Sequence, residues 1–375
     1  MQCMLYIHVP FCRSRCRYCD FYSVTETGPI VDRYIDAVAR EWELRTAGQE
    51  IELSSVFIGG GTPSLLTVEQ WCRFNEVLLG KLPLAKDAEW TVECNPESIT
   101  ATKMRLLADI GVDRLTIGIQ STAERELAIA GRPHNPEQAA QVLAIEELRA
   151  FRSVGVDVMY GLPGQTTGSL TDTLRTLLDM PVVGHLSAYE LTLAENTSFG
   201  RHATLLPLPS EDDVSAMYAI LRSETRRYGF RQYEISNFAR GGFESVHNRG
   251  YWNHTPYVGL GCAAHSWVPP VRSWNKSDVL QYCVSLEGGT LPVERCEQLD
   301  AGMIAREMLF LGLRTTEGVD ENVFESVTGM KLPSGERSRQ LVDLREDGML
   351  EHCPPFWRPT EKGLLFADYM ARELF

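Results

Sequence analysis

Basic residues are scarce in this chain of 375 residues: 36 Lys and Arg stand against 50 Asp and Glu, a formal charge of −14. A phosphate backbone is held by clustered Lys and Arg, so nucleic acid is not an expected partner. Long apolar runs are missing too. None approaches the roughly 20 residues that a membrane-spanning helix needs. The N-terminal MQCMLYIHVPF lacks the basic start and sustained apolar stretch of a signal peptide. A soluble, cytoplasmic protein is expected, with peripheral membrane contact left open. Repeats and low-complexity tracts are absent. Seven of the ten cysteines (Cys3, Cys72, Cys94, Cys262, Cys283, Cys296 and Cys353) are scattered, without the dense spacing of a secreted disulfide scaffold. A chain this long buries roughly three quarters of its unfolded surface and needs no disulfides. Most of these thiols read as free.

The other three cysteines are concentrated. Cys12, Cys16 and Cys19 form CxxxCxxC in LYIHVPFCRSRCRYCDFYS. Three thiolates on one loop do not complete a tetrahedral zinc site, which takes four protein ligands. They suit three irons of a cubic 4Fe–4S cluster whose fourth iron has no cysteine. An open iron indicates a reactive cluster rather than a pure electron carrier. A partial zinc knot or a disulfide remains the plainer alternative.

Short β-branched runs alternate with amphipathic stretches through the first 230 residues. Strands are expected at Met4–His8, Ser55–Ile58, Glu89–Glu93, Arg114–Ile119, Val154–Met159 and His185–Leu191. Helices are expected at Val31–Arg45, Val68–Leu79, Ala101–Ile110, Pro136–Arg152 and Leu170–Leu178. Six strand–helix repeats imply a parallel sheet with right-handed crossovers, and so a partial (β/α)6 barrel. PFCRSRC, GGGTPS, CNPES, QST, YGLPGQ and TLAENTSF each follow one of the strands. Loops at the C-terminal ends of barrel strands build active sites. A helix around Val214–Arg227, capped by Ser210, closes this part. Residues 231–296 change character: Tyr233 to Trp274 holds eight aromatics in 42 residues, with His247, His254 and His265 among them. That stretch reads as loop. Residues 297–375 return to helices and a short hairpin, as in a small winged-helix-like domain.

Gly59-Gly60-Gly61-Thr62-Pro63 follows a buried strand. Without Cβ atoms its backbone can approach a ligand and offer N–H and C=O groups. Together with LYIHVPFCRSRCRYCDF, ECNPES, GIQS, GR at 131–132, DVMYGLPGQT and HNRGYW, it resembles the radical S-adenosylmethionine proteins. The resemblance lies within the oxygen-independent coproporphyrinogen III oxidase family, nearest its heme chaperone branch, and it spans essentially the whole chain. It implies that Cys12, Cys16 and Cys19 ligate the cluster. It also implies that the open iron chelates S-adenosylmethionine, whose sulfonium bond a reduced cluster cleaves. Tyr6, Gly60, Gly61, Thr62, Glu93, Gln120, Arg132 and Asp157 match positions that hold S-adenosylmethionine. The residue types suit the task, since carboxylates accept from amino and hydroxyl groups and Arg132 can pair a carboxylate bidentately.

The same resemblance implies heme as a ligand, with His247 of HNRGYW as its candidate axial group. A neutral imidazole ligates heme iron and aromatics stack on porphyrin. One departure is visible at Val246, where relatives carry a basic side chain. Heme-acceptor proteins are then partners, and a homodimer is left open. Arg13, Arg15 and Arg17 alternate with the cysteines; they would offset cluster charge, and they read either as a docking spot for an acidic, flavodoxin-like electron donor or as a plain solvated loop. Two functions compete: a heme chaperone, and an enzyme of porphyrin biosynthesis, the anaerobic coproporphyrinogen III decarboxylase. The decarboxylases carry CxxxCxxCxC, whereas Asp20 and Phe21 follow Cys19 here. That favours the chaperone and leaves the enzyme question, and any catalytic residue, unassigned.

Overall fold

The computed structural model describes residues 1–25, 28–332 and 336–374. All six expected barrel strands are present: β1 (Gln2–Val9), β2 (Glu52–Gly60), β3 (Leu84–Cys94), β4 (Arg114–Gln120), β5 (Ser153–Tyr160) and β6 (Val183–Glu190). They pair in chain order and all run parallel. Between them lie α1 (Pro29–Thr46), α2 (Val68–Val77), α3 (Ala101–Asp109), α4 (Glu124–Ala130), α5 (Pro136–Leu143) and α6 (Thr167–Leu178). The expected helix over 136–152 is shorter, because α5 stops at Leu143 and a separate 3-10 turn covers Glu146–Ala150.

Alternation explains the layers. Cys3, Leu5, Ile7 and Val9 of β1 are buried in one core with Val31, Ile35 and Val38 of α1. Tyr6 and His8 stand on the opposite face of the strand. Ser198–Arg201 forms the short α7, and α8 (Glu211–Arg227) begins at Ser210, whose hydroxyl accepts from the Asp213 N–H at 3.1 Å in a capping box.

The stretch from Tyr233 to Trp274 is not loop. It supplies β8 (Asn237–Ala239), α9 (Val246–Trp252), β9 (Tyr257–Leu260), β10 (His265–Val268) and β11 (Val271–Asn275), after the two-residue β7 (Arg231–Gln232). With α10 (Val279–Glu287) and β12 (Val293–Gln298), the sheet reaches twelve strands in the order β12-β11-β10-β9-β1-β2-β3-β4-β5-β6-β8-β7. The barrel therefore stays open, and both of its edges are extended. Strands of three to five residues between Gly and Pro carry too little periodicity to be told from loop.

The last part has its own core of Ala305, Leu309, Leu313, Phe324, Leu341 and Trp357. It comprises α11 (Ala301–Gly312), β13 (Val319–Asp320), α12 (Glu321–Thr328), α13 (Glu336–Glu346), β14 (Leu350–Cys353), β15 (Phe356–Pro359), α14 (Glu361–Leu365) and α15 (Ala367–Glu373). Five helices beside a three-stranded antiparallel sheet give the expected winged-helix-like arrangement. Residues 333–335 and Phe375, inside the expected C-terminal unit, lie outside the described residues. A bridge between Glu234 and Thr315 and a bond from the Thr316 N–H to the Tyr233 carbonyl (3.0 Å) join this unit to the barrel.

Candidate functional site

A cavity of about 350 Å³ opens at the C-terminal ends of the barrel strands. In-order parallel strands put every strand-to-helix loop at that end, and five of the six sequence motifs line the cavity, YGLPGQ being the exception. Cys12, Cys16 and Cys19 line it from the loop after β1, and Gly60, Gly61 and Thr62 from the end of β2. Glu93, Gln120, Arg132 and Asp157 complete the wall.

The glycines are needed for space. A Cβ on Gly61 would stand 2.7 Å from the Val9 carbonyl oxygen, and one on Gly60 (φ +106°) would collide with the His8 ring. Their closeness lets the Gly60 N–H donate to Glu93 Oε2 at 2.9 Å. Gln120 is a non-glycine residue at φ 68°, where the β4–β5 register shifts. Backbone held in that sparsely populated region points to a fixed task for its side chain.

The charged groups are desolvated together. Burial, with Asp157 adding, pushes the Glu93 carboxyl up to about 7, and the Gly60 N–H opposes this. Burial also raises Asp157, against the hydrogen bonds from Ser187 and Thr116; the Thr116 hydroxyl donates to Oδ1 at 3.0 Å. Two carboxyls whose pKa values burial raises form a wall that gains by meeting a cation. The guanidinium donates to Asn95 Oδ1 (2.8 Å), to the Gly118 carbonyl (2.6 Å) and to Cys16 Sγ (3.5 Å), and its buried Nε has no partner among the described residues. Asn95 Nδ2 donates to Thr62 Oγ1 at 3.1 Å, and the Thr62 hydroxyl donates to Cys12 Sγ at 3.5 Å. Asn95 thus braces two donors that each reach a different cysteine. Sequence reasoning did not single it out, although CNPES directly after β3 held the signal.

This donor set fits the cluster. The three sulfurs line one cavity, and two of them receive donors that would steady a thiolate. Burial raises Cys12 and pushes Cys19 up to about 11, so without metal they are thiols. Among the described residues no group of three His, Cys, Asp or Glu is placed to hold a single metal ion. A cubane needs no such convergence, because each thiolate takes its own iron.

Two expected residues are not brought to the cavity. Tyr6 lies a layer below, its hydroxyl 2.9 Å from His8 Nδ1 and its ring against Phe57. His8 in turn packs on Gly60, which lines the cavity, so Tyr6 is linked to the cavity wall through His8. His247 is fully buried on α9. Its Nδ1 lies 2.9 Å from Ser55 Oγ and its Nε2 3.1 Å from the Tyr251 hydroxyl. Burial lowers its pKa to about 3. With both nitrogens engaged and no exposed face, this imidazole is packed here as a structural hub. The sequence shows the aromatic company of His247 but not that the company closes around it.

Residues 6–177 match the radical SAM superfamily, and residues 299–366 match the HemN C-terminal domain. The chain is 33% identical to the heme chaperone HemW of Bacillus subtilis, over 97% of this chain and 96% of that one. It is 33% identical to HemW of Escherichia coli, over 99% and 97%. Among solved structures it is similar to the Escherichia coli coproporphyrinogen III oxidase HemN, a radical SAM enzyme. The TM-score is 0.86 at 23% identity, covering 99% of this chain and 89% of that one. That last likeness concerns the fold.

Proposed function

This chain belongs to the radical SAM superfamily and, within it, to the family of the heme chaperones HemW, and on that premise we propose that it binds heme and passes it to acceptor proteins. The observation that carries this reading is the likeness to curated heme chaperones over 97–99% of the chain, C-terminal unit included. Cys12, Cys16 and Cys19 would hold the 4Fe–4S cluster, and Gly60, Gly61, Thr62, Glu93, Gln120, Arg132 and Asp157 would hold S-adenosylmethionine. When bound, the pair supplies one-electron chemistry at a sulfonium. The glycine backbone would admit the ligand closely, Arg132 would pair its carboxylate, and Glu93 and Asp157 would accept from its amino and hydroxyl groups. Arg13 and Arg15, both exposed on the cluster loop, supply a docking face for a flavodoxin-like donor.

The second reading is oxidative decarboxylation of coproporphyrinogen III, supported by the HemN-like fold. The absence of a further cysteine in the Cys19-Asp20-Phe21 segment disfavours it. Two assays on the anaerobically reconstituted protein separate them. Heme titration is expected to give a saturable Soret band and transfer to an apo-acceptor. Conversion of coproporphyrinogen III to protoporphyrinogen IX with S-adenosylmethionine and a reductant would refute the chaperone reading.

A further inference from the structure

Heme needs an axial ligand, and the buried His247 does not offer one. Resting on the chaperone reading, we infer that His265 on β10 ligates the heme iron, in a row with Trp274 and Arg295 that receives the porphyrin.

The chain has eight histidines. Seven have a ring nitrogen in a hydrogen bond: His8 with Tyr6 and the Tyr22 carbonyl, His134 with the Ile119 carbonyl, His185 with Tyr233, His202 with the Ser198 carbonyl, His247 with Ser55 and Tyr251, His254 with Glu307, and His352 with Glu321. Among the described residues the His265 nitrogens have no such partner, and the residue is exposed. Ligation requires a neutral imidazole with a free nitrogen. Partial burial, with Arg272 nearby, lowers the His265 pKa and so keeps that form.

The neighbours suit a porphyrin. His265 pairs across the antiparallel ladder with Trp274, and Trp274 with Arg295 on β12. Directly opposed residues share a face, and strands lie roughly 4.8 Å apart, which puts Arg295 about 10 Å from His265. The Trp274 ring stacks on the imidazole at 5.5 Å and 18°, which fixes the plane of the ligand. An axial imidazole stands perpendicular to a porphyrin, so the Trp274 ring, parallel to it, would meet the macrocycle edge-on, with the exposed Arg295 next in line. Heme presents the complement: iron at its centre, an apolar macrocycle, and two carboxylates at one edge. The adjacent row is closed, because Trp267 is buried and Arg272 is held by Glu307 at 2.9 Å. Through β9 the whole row is attached to β1, the strand that leads into the cluster loop.

His202 is the other exposed imidazole, with Nδ1 on the Ser198 carbonyl at 2.9 Å; no aromatic ring among the described residues is stacked on it. It serves as the comparison. The reconstituted full-length protein would be titrated with ferric heme and followed at the Soret band, with cluster absorbance as the check on folding. His265→Ala is expected to weaken heme binding roughly tenfold or more and to shift the Soret maximum, as loss of a metal-site group does. Free imidazole should restore the band in His265→Gly. Arg295→Glu should weaken binding severalfold without moving the maximum, and His202→Ala should match the wild type. Unchanged affinity and Soret position in His265→Ala, or a loss confined to His202→Ala, would overturn the assignment alone. Absence of heme uptake by the wild-type protein would overturn the chaperone reading, and this assignment with it.

Discussion

Asn95 is small and uncharged, yet it holds Thr62 and Arg132, the two donors that reach Cys12 and Cys16. Donors to cluster sulfurs stabilise the reduced state. Asn95→Ala should therefore make the midpoint potential more negative by roughly 20–60 mV, a hydrogen bond of about 0.5–1.5 kcal/mol carried over to a one-electron couple. A redox titration followed by electron paramagnetic resonance checks it, and an unchanged potential would remove Asn95 from this role. Glu93 sets a pH dependence. Its carboxyl is raised from 4.5 to about 7, mainly by burial, so the fold prefers the neutral acid. Below about pH 4.5 the group is protonated in both folded and unfolded states and costs nothing. Between 4.5 and 7 the unfolded chain ionises first, and stability of the ligand-free protein falls by about 3 kcal/mol. Glu93→Gln should flatten that part of the curve, as measured by denaturant titrations at pH 4.5 and 8.

At the scale of elements, buried carboxylates fasten the parts that the sequence did not reveal. Glu41 of α1 is fully buried; it accepts from Arg45, from Tyr282 of α10 at 2.6 Å, from the Gly261 N–H and from Asn275 of β11. Glu41→Ala strands those donors together and should cost about 3–5 kcal/mol of unfolding free energy. Glu89 does the same for α9, taking the Ser245 hydroxyl at 3.0 Å and the His247 N–H at 3.1 Å. Such links join residues more than 150 positions apart and leave no local pattern, which is why Tyr233–Trp274 reads as loop and α9 goes unseen. The barrel strands were legible for the opposite reason: buried parallel strands declare themselves as apolar β-branched runs. His247 marks the boundary between the two cases. His247→Ala should lower stability by about 2–4 kcal/mol, through a cavity and two lost hydrogen bonds. Heme affinity measured well below the melting point should remain near that of the wild type. A collapse of heme binding in a stably folded His247→Ala protein would return the ligand to α9.

Across the whole molecule the charge is −14, yet the mouth of the cavity carries Arg13 and Arg15, exposed beside the cluster cysteines. Arg17 is held back by a bond from its guanidinium to the Ile129 carbonyl at 3.2 Å. An acidic donor approaching at random meets net repulsion, and only the orientation that faces the cluster meets attraction. Local cations of this kind govern encounter rates more than affinity. The double variant Arg13→Glu, Arg15→Glu should therefore slow cluster reduction by a flavodoxin-like donor roughly tenfold at low salt. The rate for the wild type should fall as salt rises, because the Debye length shrinks from about 30 Å at 0.01 M to about 10 Å at 0.1 M. For the variant the slope should reverse, since screening then relieves repulsion. Stopped-flow bleaching of the cluster absorbance measures both rates. If charge reversal leaves the rate and its salt slope unchanged, electrons enter by another face.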